Sequence, residues 1–152
     1  MCREAYAAAL LDGEGCISVS QTGASYFQLR YYRLRVEFMM TDRAPLDELA
    51  YGWGGVVYIC TKKTTTGRAM YSWAVSGRRA QEFLRDTKKW VVGKREQLEL
   101  ALEFPVGNQV SGNGRLSDRD RTRQHDIRIA LQGLKKPSLP SPTSPNPGLS
   151  SP

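Results

Sequence analysis

The 152-residue chain contains one histidine and three cysteines. No apolar run approaches the ~18 residues that a membrane span needs, so no membrane partner is expected. Cys2, Cys16 and Cys60 are too few and too scattered for a disulfide framework or a zinc ribbon. A single His125 excludes a histidine-rich metal cage and argues against a Ser-His-Asp triad. Chemistry in this chain must come from carboxylates, lysines, arginines and the main chain. No targeting segment is expected either. Residues 5–11 (AYAAALL) are apolar, but the run stops at Asp12 and flows into DGEG with no cleavage-type region. The expected place of action is the reducing compartment of synthesis, either an organelle (chloroplast or mitochondrion) or a bacterial or archaeal cytoplasm.

The last sixteen residues, 137–152, hold six of the eight prolines and no charge. Such a segment buries too little apolar surface to order itself, so a disordered tail is expected after one domain spanning 1–136. Lys plus Arg number 22 and Asp plus Glu 15, giving +7, all of it within residues 1–136. A basic surface invites phosphate polymers or anionic membranes. No basic amphipathic membrane helix is visible, so nucleic acid is the better match. A merely soluble basic surface is the plain alternative.

Hydrophobic periodicity gives the element order α-β-β-α-β-β-α-α-α. Residues 4–12 (EAYAAALLD) suit a short helix with the small residues Ala5, Ala8, Ala9 and Asp12 on one strip, broken by Gly13 and Gly15. Residues 16–20 and 26–40 alternate as strands, with Ile17, Val19, Leu34, Val36 and Phe38 on one face. Residues 42–51 read as a helix with Pro45 in its first turn. Residues 56–62 and 68–76 pair as a second hairpin, with Tyr71, Trp73 and Val75 as core. Helices follow at 78–88 and 93–104, and a last one after a Ser117 cap. This is not βαβ alternation. It predicts an α+β fold with an antiparallel sheet carrying helices on one face. The free face would be polar and basic, and a DNA major groove admits a β-ribbon.

Residues 7–15, AAALLDGEG, resemble the signature of the LAGLIDADG homing endonucleases. The following strand, the two hairpins and a later Lys94-x-x-Gln97 sit where that family has them, so the resemblance covers about residues 4–104. The resemblance implies the αββαββα form with a saddle-shaped sheet. It also implies a site-specific double-strand DNA endonuclease encoded in an intron, hydrolysing phosphodiesters of a long pseudo-palindromic target to leave short 3′ overhangs. The motif occurs once, which in that family implies a homodimer, packed here through Ala5, Ala8, Ala9 and Asp12. Close packing would bring two Glu14 carboxylates together, and a divalent cation relieves their repulsion. Glu14 and the Gly13 carbonyl would hold Mg2+ or Mn2+, with Ca2+ binding without supporting cleavage. Many family members carry Asp at this position. Lys94 aligns with the active-site lysine, with Gln97 one turn on, and Asp42 with a polar position of the water pocket. From the residues alone, Glu14 is equally a solvated turn carboxylate, Lys94 an exposed helix lysine and Asp42 a helix cap.

The free sheet face would then read double-stranded DNA through Ser18, Ser20, Thr22, Arg33, Arg35, Glu37, Tyr58, Cys60, Lys62, Arg68 and Ser72. Gln28, Arg30 and Tyr32 would join near the distal hairpin. Lys62, Lys63, Arg68, Arg115, Arg119, Arg121 and Arg123 suit phosphates. Each subunit would cover a half-site of ~10 bp. The competing reading is an intron RNA maturase or a non-cleaving DNA-binding regulator on the same scaffold.

Overall fold

The computed structural model describes residues 2–22, 31–60, 65–107 and 116–135. In chain order the elements are α1 (Arg3–Glu14), β1 (Gly15–Thr22), β2 (Tyr31–Met40), α2 (Ala44–Trp53), β3 (Val57–Cys60), β4 (Met70–Ser76), α3 (Arg78–Thr87), α4 (Arg95–Leu102) and α5 (Asp118–Lys135). The expected order is found. The expected strand segments 26–30 and 61–62, and the tail 137–152, lie outside the described residues.

The four strands form one antiparallel sheet in the order β1-β2-β4-β3. Period-2 alternation sets its two faces. On one face, Ile17 stands opposite Val36, Val19 opposite Leu34, and Phe38 opposite Trp73. All of these are buried, together with Val75. The helices cover this face. Phe83 of α3 makes edge contacts with Phe38 and with Trp53 of α2, at ring-centroid distances of 5.9 and 4.9 Å. Three polar groups at the core margin find partners in main-chain carbonyls. The Trp73 indole donates to the Gly54 carbonyl at 2.9 Å, the Gln81 amide to the Phe104 carbonyl at 2.7 Å and the Thr87 hydroxyl to the Phe83 carbonyl at 2.8 Å. At the start of α5, Ser117 Oγ accepts from the Asp120 N–H, which is the expected cap.

Helix α1 corrects the sequence reading at its end. It runs two residues past the expected 12 and carries Gly13 and Glu14 inside it. A glycine in a helix costs only about 1 kcal/mol. A Cβ at Gly13 would meet nothing, whereas one at Gly15 would lie 2.6 Å from Leu11 Cδ1 and 2.8 Å from Leu11 Cα. The chain therefore turns into β1 so tightly over the last turn of α1 that only glycine fits at 15. The Gly15 N–H bonds back to the Leu10 and Leu11 carbonyls. The strip expected for dimer packing is also corrected at Ala8. With Ala7 and Leu11 it is fully buried against this chain's own core, because those three positions form the inward stripe of α1.

These two glycines should respond oppositely to the same substitution. Gly15→Ala is expected to lower stability by about 1–3 kcal/mol through overpacking. Gly13→Ala should leave it equal or raise it by about 1 kcal/mol. Urea denaturation of both variants checks this, and equal losses would contradict the tight turn.

Candidate active site and nucleic-acid interface

The last turn of α1 is gripped by the chain entering α4. The Asp12 carboxylate accepts the N–H of Val92 at 2.8 Å and that of Lys94 at 2.9 Å, one on each oxygen. In return the Lys94 ammonium donates to the carbonyls of Leu11 at 2.6 Å and Asp12 at 2.9 Å. Each side chain thus caps the other's backbone. The anion sits at the start of α4 and the cation at the end of α1, where the two helix dipoles favour them. Burial pushes the Asp12 carboxyl upward. The N–H groups of Val92, Lys94 and Gly93 and the Lys94 charge outweigh it and leave the carboxyl below its usual range.

Asp12 turns its carboxylate to the chain entering α4. Lys94 is the residue preceding α4 (φ −107°), not a member of its exposed face, and its ammonium lies on α1. Gln97 is half-buried in the first turn of α4. The sequence could not show the Val92 and Gly93 contributions, because those donors are main-chain groups with no side-chain signature.

Glu14 closes α1 as an exposed side chain, and among the described residues its carboxylate has no hydrogen-bond or ion-pair partner. It is held at a defined place by Gly15 behind it and the Asp12–Lys94 grip before it, while its oxygens stay free. Asp42 follows β2 by two residues, and the register sets Gly15 opposite Phe38, so Glu14 and Asp42 share one end of the sheet. The Asp42 carboxylate accepts the Ala44 N–H at 3.0 Å, which is the capping role left open by the sequence. Ala5 is half-buried and Ala9 exposed on the outer side of α1.

The donor set suits a hard divalent cation: an exposed carboxylate and, one residue before it, a main-chain carbonyl. Among the described residues no three of His, Cys, Asp or Glu converge on one point. Glu14 and Gly13 would therefore supply a minority of the ligands, the rest being oxygens from outside the chain, such as water and phosphate.

The sheet face away from the helices is polar. The pairs Cys16–Glu37, Ser18–Arg35 and Ser20–Arg33 lie across β1 and β2. Tyr58 stands opposite Ser72, and Cys60 opposite Met70. Arg35 and Glu37 form an ion pair at 2.8 Å, and the Ser72 hydroxyl donates to the same Glu37 oxygen at 3.3 Å. Met39 of β2 and Ala74 and Ser76 of β4 share this face, as the alternation places them. Tyr32 is a correction. It belongs to the helix-covered face, and its hydroxyl shares a hydrogen bond of 2.8 Å with His125 Nδ1 of α5. Arg68 is exposed in the turn before β4. Arg123 pairs with Glu103. Gln28, Arg30, Lys62, Lys63 and Arg115 lie outside the described residues, and Thr22 is placed only by its backbone pairing with Tyr31.

The antiparallel 1-2-4-3 sheet with helices on one face is a fold this chain shares with solved structures of homing endonucleases, a LAGLIDADG enzyme among them. No sequence-family model matches the chain, and no curated protein matches its sequence. Solved structures do match. The archaeal intron-encoded homing endonuclease I-Vdi141I, complexed with DNA, aligns with a TM-score of 0.67 and 16% identity over 91% of this chain and 87% of its own. The homing endonuclease I-CvuI in complex with its target and Ca aligns at 0.64 and 20% identity, over 89% and 83%. With the I-CreI target and Mg, where the DNA was not cleaved, I-CvuI aligns at 0.54 and 23% identity over 67% of this chain and 64% of that one. The LAGLIDADG homing endonuclease I-GzeII, in complex with DNA target, aligns at 0.58 and 13% identity over 85% of this chain and 43% of that one, so this chain spans less than half of that protein.

The Asp12 carboxyl lies below its usual value, so its contribution is complete above pH ~4 and is lost as pH falls through the depressed folded value. Asp12→Asn sets an amide donor against a main-chain donor and should cost about 1–2 kcal/mol near neutrality. The gap to the parent protein should narrow as pH drops below ~4. Denaturation midpoints at neutral and acid pH test this; a gap that does not change with pH would contradict it.

Proposed function

We propose that this chain is a site-specific, intron-encoded double-strand DNA endonuclease that works as a homodimer with Mg2+ or Mn2+. The observation that carries the reading is the free Glu14 carboxylate, pinned at a helix end at the rim of a polar sheet face. The fold supports it, and so do neighbours of that fold solved on DNA.

The chain's own groups divide the work. Glu14 and the Gly13 carbonyl hold the cation, which when bound neutralises phosphate charge and makes water a better nucleophile. Lys94 and Asp12 fix where Glu14 stands, and a placement error near an ångström costs orders of magnitude in rate. Serines and arginines of the sheet, with Tyr58, offer donors to base edges and phosphates. One chain carries one such carboxylate, so cutting two strands requires a second copy. The outer strip of α1, with Ala5 and Ala9, lets two helices approach closely and brings the two Glu14 ends together.

The test is a plasmid carrying the uninterrupted insertion site, incubated with purified protein and Mg2+. The parent chain should linearise it. Glu14→Gln should bind equally well and cut at least about a hundredfold more slowly, a loss of roughly 3 kcal/mol in the barrier. A protein that sediments as a monomer, or a variant that cuts like the parent, would overturn the reading.

A further inference from the structure

Helix α5 carries a cationic stripe that the reading above does not use. Residues seven apart return to nearly the same side of a helix. Arg121, Arg128 and Lys135 therefore line up, with His125 and Gln132 between them and no acid within the stripe. Structural contacts fix which way it faces. His125 bonds Tyr32 at the far end of the sheet, and Lys135 Nζ lies 3.1 Å from Cys16 Sγ at the Glu14 end. Ten residues of helix rise roughly 15 Å. The five strand steps from Cys16 to Gln21, the partner of Tyr32, rise roughly 17 Å. The helix thus lies alongside β1, an edge strand of the sheet. Its opposite flank is turned to α4, where Arg123 meets Glu103 and the Gln124 amide donates to the Pro105 carbonyl.

One member of the stripe is also unsatisfied. Arg128 Nε is buried and has no hydrogen-bond partner among the described residues. Because Nε is shut off from solvent, an anion from outside would be met by the terminal amines of the guanidinium.

We propose that this flank of α5 is a phosphate clamp, extending the duplex-binding surface past the β1 edge along one DNA strand. The inference rests on the DNA-binding reading and deepens it. Fourteen helical residues advance ~21 Å, so the cations from Arg121 to Lys135 form a row long enough to touch several phosphates of one strand. Such contacts position the duplex and carry no sequence information.

The experiment is a salt titration of binding by the full chain to a mixed-sequence duplex with EDTA present. The triple variant Arg121→Gln/Arg128→Gln/Lys135→Gln should flatten the slope of log affinity against log salt by about 0.9 for each charge removed per bound chain, ~2.7 in all. A control, Arg85→Gln/Lys88→Gln/Lys89→Gln on and just after α3, changes net charge equally and should leave the slope near that of the parent. If the triple variant fails to fold, Arg121→Gln and Lys135→Gln singly should each lose ~0.9. A slope unchanged by the α5 substitutions, or flattened equally by the control, overturns the clamp while leaving DNA binding intact. A parent chain that binds no duplex overturns the DNA reading and the clamp with it.

Discussion

The mutual capping of Asp12 and Lys94 joins two segments more than eighty residues apart in the chain. A helix end normally leaves four carbonyls or four N–H groups without partners. Here one acid and one base each satisfy the other's helix, so the end of α1 and the start of α4 become a single rigid unit. The tight passage through Gly15 ties that unit to β1. Glu14 sits between these two restraints, and its freedom to meet a ligand comes from its neighbours having none. Charge placement and packing act together: remove the grip and the acid keeps its chemistry but loses its address.

Much of this was legible in the sequence, for identifiable reasons. The sheet's inner face follows from alternation, since Leu34, Val36 and Phe38 leave no other register. The aromatic core follows from Trp73 and Phe83 sitting at inward positions of elements with clear periodicity. The acidic helix end was visible because two glycines flank it. What was hidden concerns groups that periodicity does not mark. Asp12 carries the signature of a helix-end acid, but its partners are main-chain donors of a distant loop. Gly13 reads as a breaker, yet open space around it lets the helix continue to Glu14. Ala8 reads as part of a small-residue strip, but small residues serve an internal contact as well as an external one. Tyr32 shares the parity of Leu34, Val36 and Phe38, so the alternation that marks the inner face carries on to it at the start of β2.

Charge on this molecule is distributed by function of place more than by amount. Of the 22 Lys and Arg side chains, three are engaged with acids on the surface: Arg43 with Asp47, Lys88 with Glu99 and Arg123 with Glu103 are exposed pairs that contribute little to stability. Lys94 holds two carbonyls. Arg33 and Arg35, opposite Ser20 and Ser18 of β1, and Lys135 of α5, beside Cys16, bring strand and helix cations to either side of β1.

The small network of Arg35, Glu37 and Ser72 has a consequence for discrimination. An arginine with an idle guanidinium would reward almost any acceptor laid on it. Arg35 is already engaged by Glu37 at 2.8 Å, and Glu37 also holds Ser72. An incoming partner must outbid that arrangement, and only one supplying donors and acceptors to all three groups at once recovers what it disrupts. An ill-matched partner strands a carboxylate instead. The network thus acts as an internal competitor, raising the standard for entry without adding any contact of its own.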